Sequence, residues 1–253
     1  MEGWIMRLDL DGLKKDPPES IPAIERRQFL KMGLVVTGVF AGGTVLSLIS
    51  NIQRVFASPE EFKEKYPYTP HYSMVIRQNR CIDCERCLEA CRRTNHVPPY
   101  GYRTAILERT IPDAIGQKRE FIPVLCMQCN NPPCVRACPT RASYKHRGNG
   151  IIMIDSKKCV GCKACMVACP YNARYFNEEK RAIDKCNFCF DTRLSKGERL
   201  TACAAACPTG ARTFGDLSDP SSDVYRMVHQ IERPVWVLRA EVGTRPNVFY
   251  MKA

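Results

Sequence analysis

Cys159-Val160-Gly161-Cys162-Lys163-Ala164-Cys165-Met166-Val167-Ala168-Cys169-Pro170 sets three cysteines two residues apart, a fourth three residues further on and a proline directly behind it. Three thiolates at that spacing can wrap a loop around three corners of one cubane, with backbone N–H groups turned toward its sulfides. The fourth cysteine is expected to start a short helix that points away, and so to serve the other cluster of a pair. Proline fixes φ and has no N–H, which suits a sharp exit into extended chain. Soft thiolates in sets of four select zinc or iron–sulfur clusters. Structural zinc sites usually draw on separated ligand pairs, so a tight triplet followed by Cys-Pro favours iron and sulfide.

The block recurs in both directions. Cys81, Cys84, Cys87 and Cys91 keep the same spacing. Cys126, Cys129, Cys134 and Cys138 widen the middle gap to four residues, and Cys186, Cys189, Cys203 and Cys207 widen it to thirteen. These blocks use all 16 cysteines of the 253-residue chain, so none is left for another role. Three blocks end alike, in Cys138-Pro139-Thr140-Arg141-Ala142, Cys169-Pro170-Tyr171-Asn172-Ala173 and Cys207-Pro208-Thr209-Gly210-Ala211. Short apolar runs, Tyr72–Ile76 and Gly150–Ile154, lead into blocks one and three, the second behind an Asn149-Gly150 turn signal. Such self-similarity marks one structural unit used several times. Beyond block four, Val235–Leu238 and Val248–Tyr250 read as extended segments packing on the core.

With 38 Lys and Arg against 26 Asp and Glu, the formal charge is +12. A basic chain suggests nucleic acid as partner, but that holds only for the bare polypeptide. Four cubanes on sixteen thiolates would bring about −8 to −12 and nearly cancel the excess. The basic residues therefore read as compensation for buried cluster charge, and no nucleic-acid partner is expected. A chain this long buries a core without staples. Disulfides between cysteines so close in sequence would in any case add little.

The first 58 residues contain no cysteine. Arg26-Arg27-Gln28-Phe29-Leu30-Lys31 precedes Met32–Gln53, 22 residues without a charge. A twin arginine ahead of an apolar, Gly-containing stretch resembles a twin-arginine export signal. At 1.5 Å per residue the stretch reaches about 33 Å, enough to cross a bilayer. We read it as a retained signal anchor, with Lys14, Lys15, Arg26, Arg27 and Lys31 on the cytoplasmic side and everything after Arg54 outside. Val55-Phe56-Ala57 offers a cleavage site, which would release a free soluble periplasmic polyferredoxin as the alternative. Residues 59–71 read as a charged, exposed linker.

Blocks of this kind in this order resemble the four-cluster ferredoxin-type electron-transfer subunits of membrane-bound oxidoreductases, notably the exported Nrf, Dsr, Qrc and polysulfide-reductase types. The likeness is carried by the twin-arginine start, Thr94-Asn95-His96-Val97-Pro98, Ala182–Cys189, Phe214-Gly215-Asp216-Leu217 with Asp219-Pro220, and Gly243-Thr244-Arg245-Pro246. It implies an α+β fold of two fused ferredoxin-like modules related by a pseudo-twofold axis, an outer one of 72–112 with 181–217 and an inner one of 113–180, with 218–253 packed on the core. It also implies four 4Fe-4S clusters held by four quartets: Cys81, Cys84, Cys87 with Cys207; Cys186, Cys189, Cys203 with Cys91; Cys126, Cys129, Cys134 with Cys169; and Cys159, Cys162, Cys165 with Cys138. The implied partners are a polytopic quinone-binding membrane subunit and a molybdopterin-family subunit or multihaem cytochrome c, at the periplasmic face of the cytoplasmic membrane. The chain would move electrons without catalysing substrate chemistry. One departure is visible: Arg92, not proline, follows Cys91, so block one should continue as a helix over Leu88–Thr94.

His71, His96, His146 and His229 are scattered and form no nucleophile or metal constellation, so surface or packing roles are expected. No Gly-rich phosphate loop and no Cys-x-x-Cys-His haem site occurs.

Overall fold

A computed structural model describes residues 66–113, 116–230 and 233–252. The export signal and the span expected over Met32–Gln53 lie outside these residues. Among the described residues no helix is long and apolar enough to cross a membrane.

Each cysteine block is a thiol-bearing loop with a strand on either side. β1 (Tyr72–Arg77) leads into block one, whose last two cysteines lie on α1 (Arg86–Asn95), and β2 (Thr104–Asp113) follows. Block two runs from β3 (Gly116–Leu125) through α2 (Pro133–Arg136) to β4 (Ser143–Lys145). Block three runs from β5 (Ile152–Ile154) through α3 (Ala164–Val167) to β6 (Tyr175–Asn177). Block four runs from β7 (Ala182–Asp184) through α4 (Ala202–Ala205) to β8 (Arg212–Asp216). α5 (Asp223–His229), β9 (Val235–Trp236) and β10 (Val248–Met251) come last.

The strand behind each block pairs antiparallel with the strand ahead of the next: β2 with β3, β4 with β5, β6 with β7. β8, behind the last block, pairs antiparallel with β1, ahead of the first, so the series closes on itself. β10 adds to the other edge of β1 in parallel, and β9 pairs with β10, giving the order β8-β1-β10-β9. β1 is thus an interior strand, and Met74, Val75 and Ile76 are wholly buried. Successive side chains point to opposite faces. Met74 and Ile76 join the thiol-rich core with Phe188, Phe214 and Tyr250, while Val75 meets Tyr66, Leu217, Val224 and Met251.

Three expectations need correction. The short helix does not start at the fourth cysteine: α2, α3 and α4 carry the third, and Cys138, Cys169 and Cys207 lie just past their ends. The turn thus separates the third cysteine from the fourth, and the proline then bars its continuation. Where Arg92 replaces that proline, α1 runs on to ten residues, a little longer at both ends than expected. Residues 59–71 are not an exposed linker throughout, since Tyr66 and His71 are buried. The Tyr66 hydroxyl lies 2.9 Å from His229 Nε2 on α5, and its ring meets His71 edge-on. Finally, the ten-residue strands of β2 and β3 form an unexpected hairpin, its apolar runs Ala105–Leu107 and Phe121–Leu125 being short, and the boundary drawn between residues 112 and 113 falls inside it.

His71 makes the fold sensitive to acid. Its Nε2 bonds Asn247 Oδ1 at 2.9 Å and its backbone N–H donates to Asp216. Burial lowers its pKa, with Lys145 adding to the effect, against opposing pulls from Asn247 and Asp216. An unfolded imidazole takes up its proton near pH 6.5, the folded one only at lower pH, so stability falls as pH drops below about 6.5 and is unaffected above it. His71→Gln, which keeps a donor toward Asn247, should flatten the fall of the melting temperature on acidification. An unchanged slope would remove His71 from the account.

Candidate metal centres

The loops bring the sixteen cysteines together in four quartets, each around its own cavity. The first is lined by Cys81, Cys84, Cys87 and Cys207, with Ile106, Pro123 and Arg212. Cys186, Cys189, Cys203 and Cys91 line the second, with Asn95, Thr104 and Phe188. Cys126, Cys129, Cys134 and Cys169 line the third, with Ile152, Tyr171 and Arg174. The fourth has Cys159, Cys162, Cys165 and Cys138, with Ser143, Ile154 and Ile183. Each holds about 270–310 Å³ of atom-free space, its mouth included. Every quartet takes three thiols from one block and one from another.

Local backbone geometry explains how one block surrounds a cavity. The second residue after the first cysteine is left-handed in all four: Asp83, Gln128, Gly161 and Phe188, with φ of 55°, 48°, 69° and 54°. Such a turn can bring backbone N–H groups toward a thiolate, as where the Phe188 N–H donates to Cys186 Sγ at 3.4 Å, which favours an anionic centre. The exit repeats as well, since Arg141, Asn172 and Gly210, each three residues past the fourth cysteine, are also left-handed.

The donor set fits an iron–sulfur cubane better than a single ion. Among the described residues no three Cys, His, Asp or Glu side chains close on one point as around zinc. Burial, reinforced by neighbouring cysteines, pushes the Cys91 and Cys129 thiols up to about 12 and Cys186 well above the ordinary range. Such thiols ionise together only around a cation. Cys138 and Cys207 differ: against the upward push of burial, hydrogen bonds including those from the Thr140 and Thr209 hydroxyls bring them below the ordinary value.

Residues 117–217 match a 4Fe-4S dicluster domain family and residues 78–101 a 4Fe-4S binding domain family. The chain is 39% identical to a tetrathionate reductase subunit from Salmonella typhimurium, over 89% of this chain and 87% of that protein. The chain belongs to the ferredoxin-type iron–sulfur subunits of oxidoreductases. Hdr-like menaquinol oxidoreductase iron-sulfur subunit 1 of Archaeoglobus fulgidus is 35% identical over 90% of this chain and 98% of its own. Thiosulfate reductase electron transfer subunit PhsB of Salmonella typhi is 42% identical over 65% and 84%.

Around its cavities this iron–sulfur protein buries four cations that the sequence singled out only as an excess of charge: Arg103, Arg174, Lys185 and Arg212. Arg103 alone has a carboxylate partner, Asp184 Oδ1 at 2.8 Å. Its other terminal nitrogen donates to Asn95 and Asn187 at 3.1 Å each, and Asn95 Nδ2 reaches Cys189 Sγ at 3.4 Å. Asp184 also accepts from the Tyr175 hydroxyl at 2.9 Å. Against burial, Arg103 and Lys180 hold its carboxyl below the usual range. Asp184→Asn should leave Arg103 buried without its counter-ion, at a cost of about 3–5 kcal/mol. Thermal melts read by circular dichroism would check this, and a change below about 1 kcal/mol would mean the second cavity's own charge suffices.

The histidines stay apart from the cavity linings. His96 is exposed and caps α1 in a left-handed conformation, and His146 lies against Phe190. A wider groove, about 1140 Å³ of atom-free space with its mouth included, has Tyr102, Leu107 and Leu238 in its lining, adjoins the walls of the second and third cavities and contains no cysteine.

Proposed function

We propose that the protein is the electron-transfer subunit of a membrane-bound respiratory oxidoreductase, holding four 4Fe-4S clusters, one in each quartet of cysteines. The observation that carries this reading is the gathering of all sixteen thiols into four four-thiol cavities. When bound, the clusters accept and release single electrons. The chain supplies the thiolate ligands, the backbone N–H groups and the buried cations that set how readily they do so. Two fused modules related by a pseudo-twofold axis are supported by the sharing of blocks one and four between cavities one and two, and of blocks two and three between cavities three and four.

Electrons arrive and leave at opposite ends of the series. Two cysteines are exposed, Cys84 in the first cavity and Cys162 in the fourth. Each lies beside an exposed apolar residue, Ile82 (61%) and Val160 (67%), as docking patches for two different partners. One partner is a polytopic quinone-binding membrane subunit, in keeping with the relative named a menaquinol oxidoreductase subunit. The other is a molybdopterin-type subunit or multihaem cytochrome c, in keeping with the relatives named as reductase subunits. The twin-arginine segment exports the chain and anchors it at the periplasmic face of the cytoplasmic membrane.

Mild-detergent purification through a tag on this chain, followed by mass spectrometry, tests the reading. A polytopic membrane protein co-purifying with a molybdopterin or haem subunit is expected. Recovery of the chain alone from the soluble fraction, with a new N-terminus near Ser58, would replace it by a free polyferredoxin.

A further inference from the structure

Three buried cations span the gaps between neighbouring cavities. Arg212 lines the first cavity, and its Nη2 donates at 2.8 Å to Thr104 Oγ1, part of the second cavity's wall. Arg174 lines the third cavity, donates to Cys134 Sγ at 2.8 Å, and reaches Ser143 Oγ in the wall of the fourth at 3.0 Å. Lys185 joins the halves: its Nζ donates at 2.9 Å to the carbonyl of Cys186, a thiol of the second cavity, and also to the carbonyl of Ile152, in the wall of the third.

These charges are otherwise unmatched. Arg174, Lys185 and Arg212 are 1%, 2% and 3% exposed, and among the described residues none has a carboxylate within ion-pairing distance. Among the described residues, Arg174 Nη1 and Arg212 Nη1 have no hydrogen-bond partner. An isolated buried cation is costly unless an anion lies near. Cysteines on both sides act on each: Cys203 and Cys87 on Arg212, Cys126 and Cys186 on Lys185, Cys134 and Cys165 on Arg174. Arg174 and Arg212 are moreover equivalent in the repeat, each five residues past a fourth cysteine.

We propose that Arg212, Lys185 and Arg174 are internal counter-ions, each shared by the two cluster sites it spans, and that Lys185 ties the potentials of the second and third sites across the junction of the two halves. The inference rests on the four-cluster reading above. Reduction adds one negative charge to a site, which a neighbouring cation favours, so loss of the cation lowers the midpoint potential on both of its sides. All three are positioning residues, acting on the sites without ligating them.

The full chain, purified anaerobically with its clusters, is assayed for iron and titrated electrochemically under EPR detection. In Lys185→Met, two of four midpoints should fall, by at least about tenfold in the reduction equilibrium or about 59 mV, and two should stay. Arg212→Met and Arg174→Met should lower two pairs with no member in common. Lys185→Arg should leave all four in place. If Lys185→Met binds less iron, restoration of iron and midpoints by Lys185→Arg supports the charge role, and the same loss in Lys185→Arg overturns it. Unmoved midpoints at full iron content, or four midpoints falling equally, also overturn it. A native protein without four clusters would instead refute the reading beneath.

Discussion

If the four-cluster reading proposed above holds, Cys203→Ala will lower the iron content of the purified protein from about sixteen atoms per chain to between about twelve and about fifteen. The site left with three thiolates either releases its group or keeps it one iron short. Electron passage from one partner to the other should be lost altogether. All four thiols of the second cavity are buried, whereas the first and fourth each expose one. On the proposed serial order, electrons between partners docked at the two exposed thiols must cross this site. The expected signature is a split: the sites at the ends remain reducible by small dithionite, while electron transfer between the two partners stops. Unchanged iron together with unchanged throughput would sink both the ligand assignment and the serial order.

Stripping the clusters should unfold the whole region from Tyr66 to Lys252. Its secondary structure is too short to stand alone: β4 to β7 are three residues each and α2 to α4 are single turns. Isolated helices of that length do not form in water. The main apolar core is itself built around Cys87, Cys126, Cys129, Cys186 and Cys203. Removing the anionic centres would also leave Arg174, Lys185 and Arg212 buried without counter-charge, at about 3–5 kcal/mol each by analogy with a broken buried pair. Together that exceeds the usual net stability of a domain, about 5–15 kcal/mol, at its lower end. Oxidation with ferricyanide in the presence of a chelator, followed by near-ultraviolet circular dichroism, should show loss of the aromatic signal and of the cooperative melt. A stripped protein that kept its melt would show that hydrogen bonding and β1 with its neighbours suffice.

The cysteine blocks were legible in the sequence because ligation to a compact centre forces fixed spacing, and the strands leading into the first and third, β1 and β5, because each is a short apolar run. The continued helix at Cys91 was legible for an equally local reason, the absence of proline. The β2–β3 hairpin was not. Its strands carry Pro112 and Pro123, and charge pairs rather than apolar alternation line its surface, with Arg109 to Glu120 at 2.7 Å and Arg119 to Glu108 at 3.3 Å. Burial of Tyr66 and His71 depends on His229 and Asn247, far along the chain, and no local pattern reports it. The counter-ions lay between these extremes. Excess charge was plain from composition, but of the cations that go inside only Arg174 and Arg212 were marked, by the recurrence of arginine five residues after Cys169 and Cys207, and Lys185 was not.

The closing pair of β8 with β1 fixes a timetable for biosynthesis. The third and fourth sites have every thiol in hand once Cys169 has left the ribosome, whereas the first waits for Cys207 and the second for Cys203. β1, the earliest strand among the described residues, cannot find either neighbour until β8 and then β10 have been made. A nascent chain therefore carries thiols awaiting partners through most of its translation, open to oxygen and stray metals. Metallation of the third and fourth sites can precede completion of the first and second, and β10, made late, seals β1.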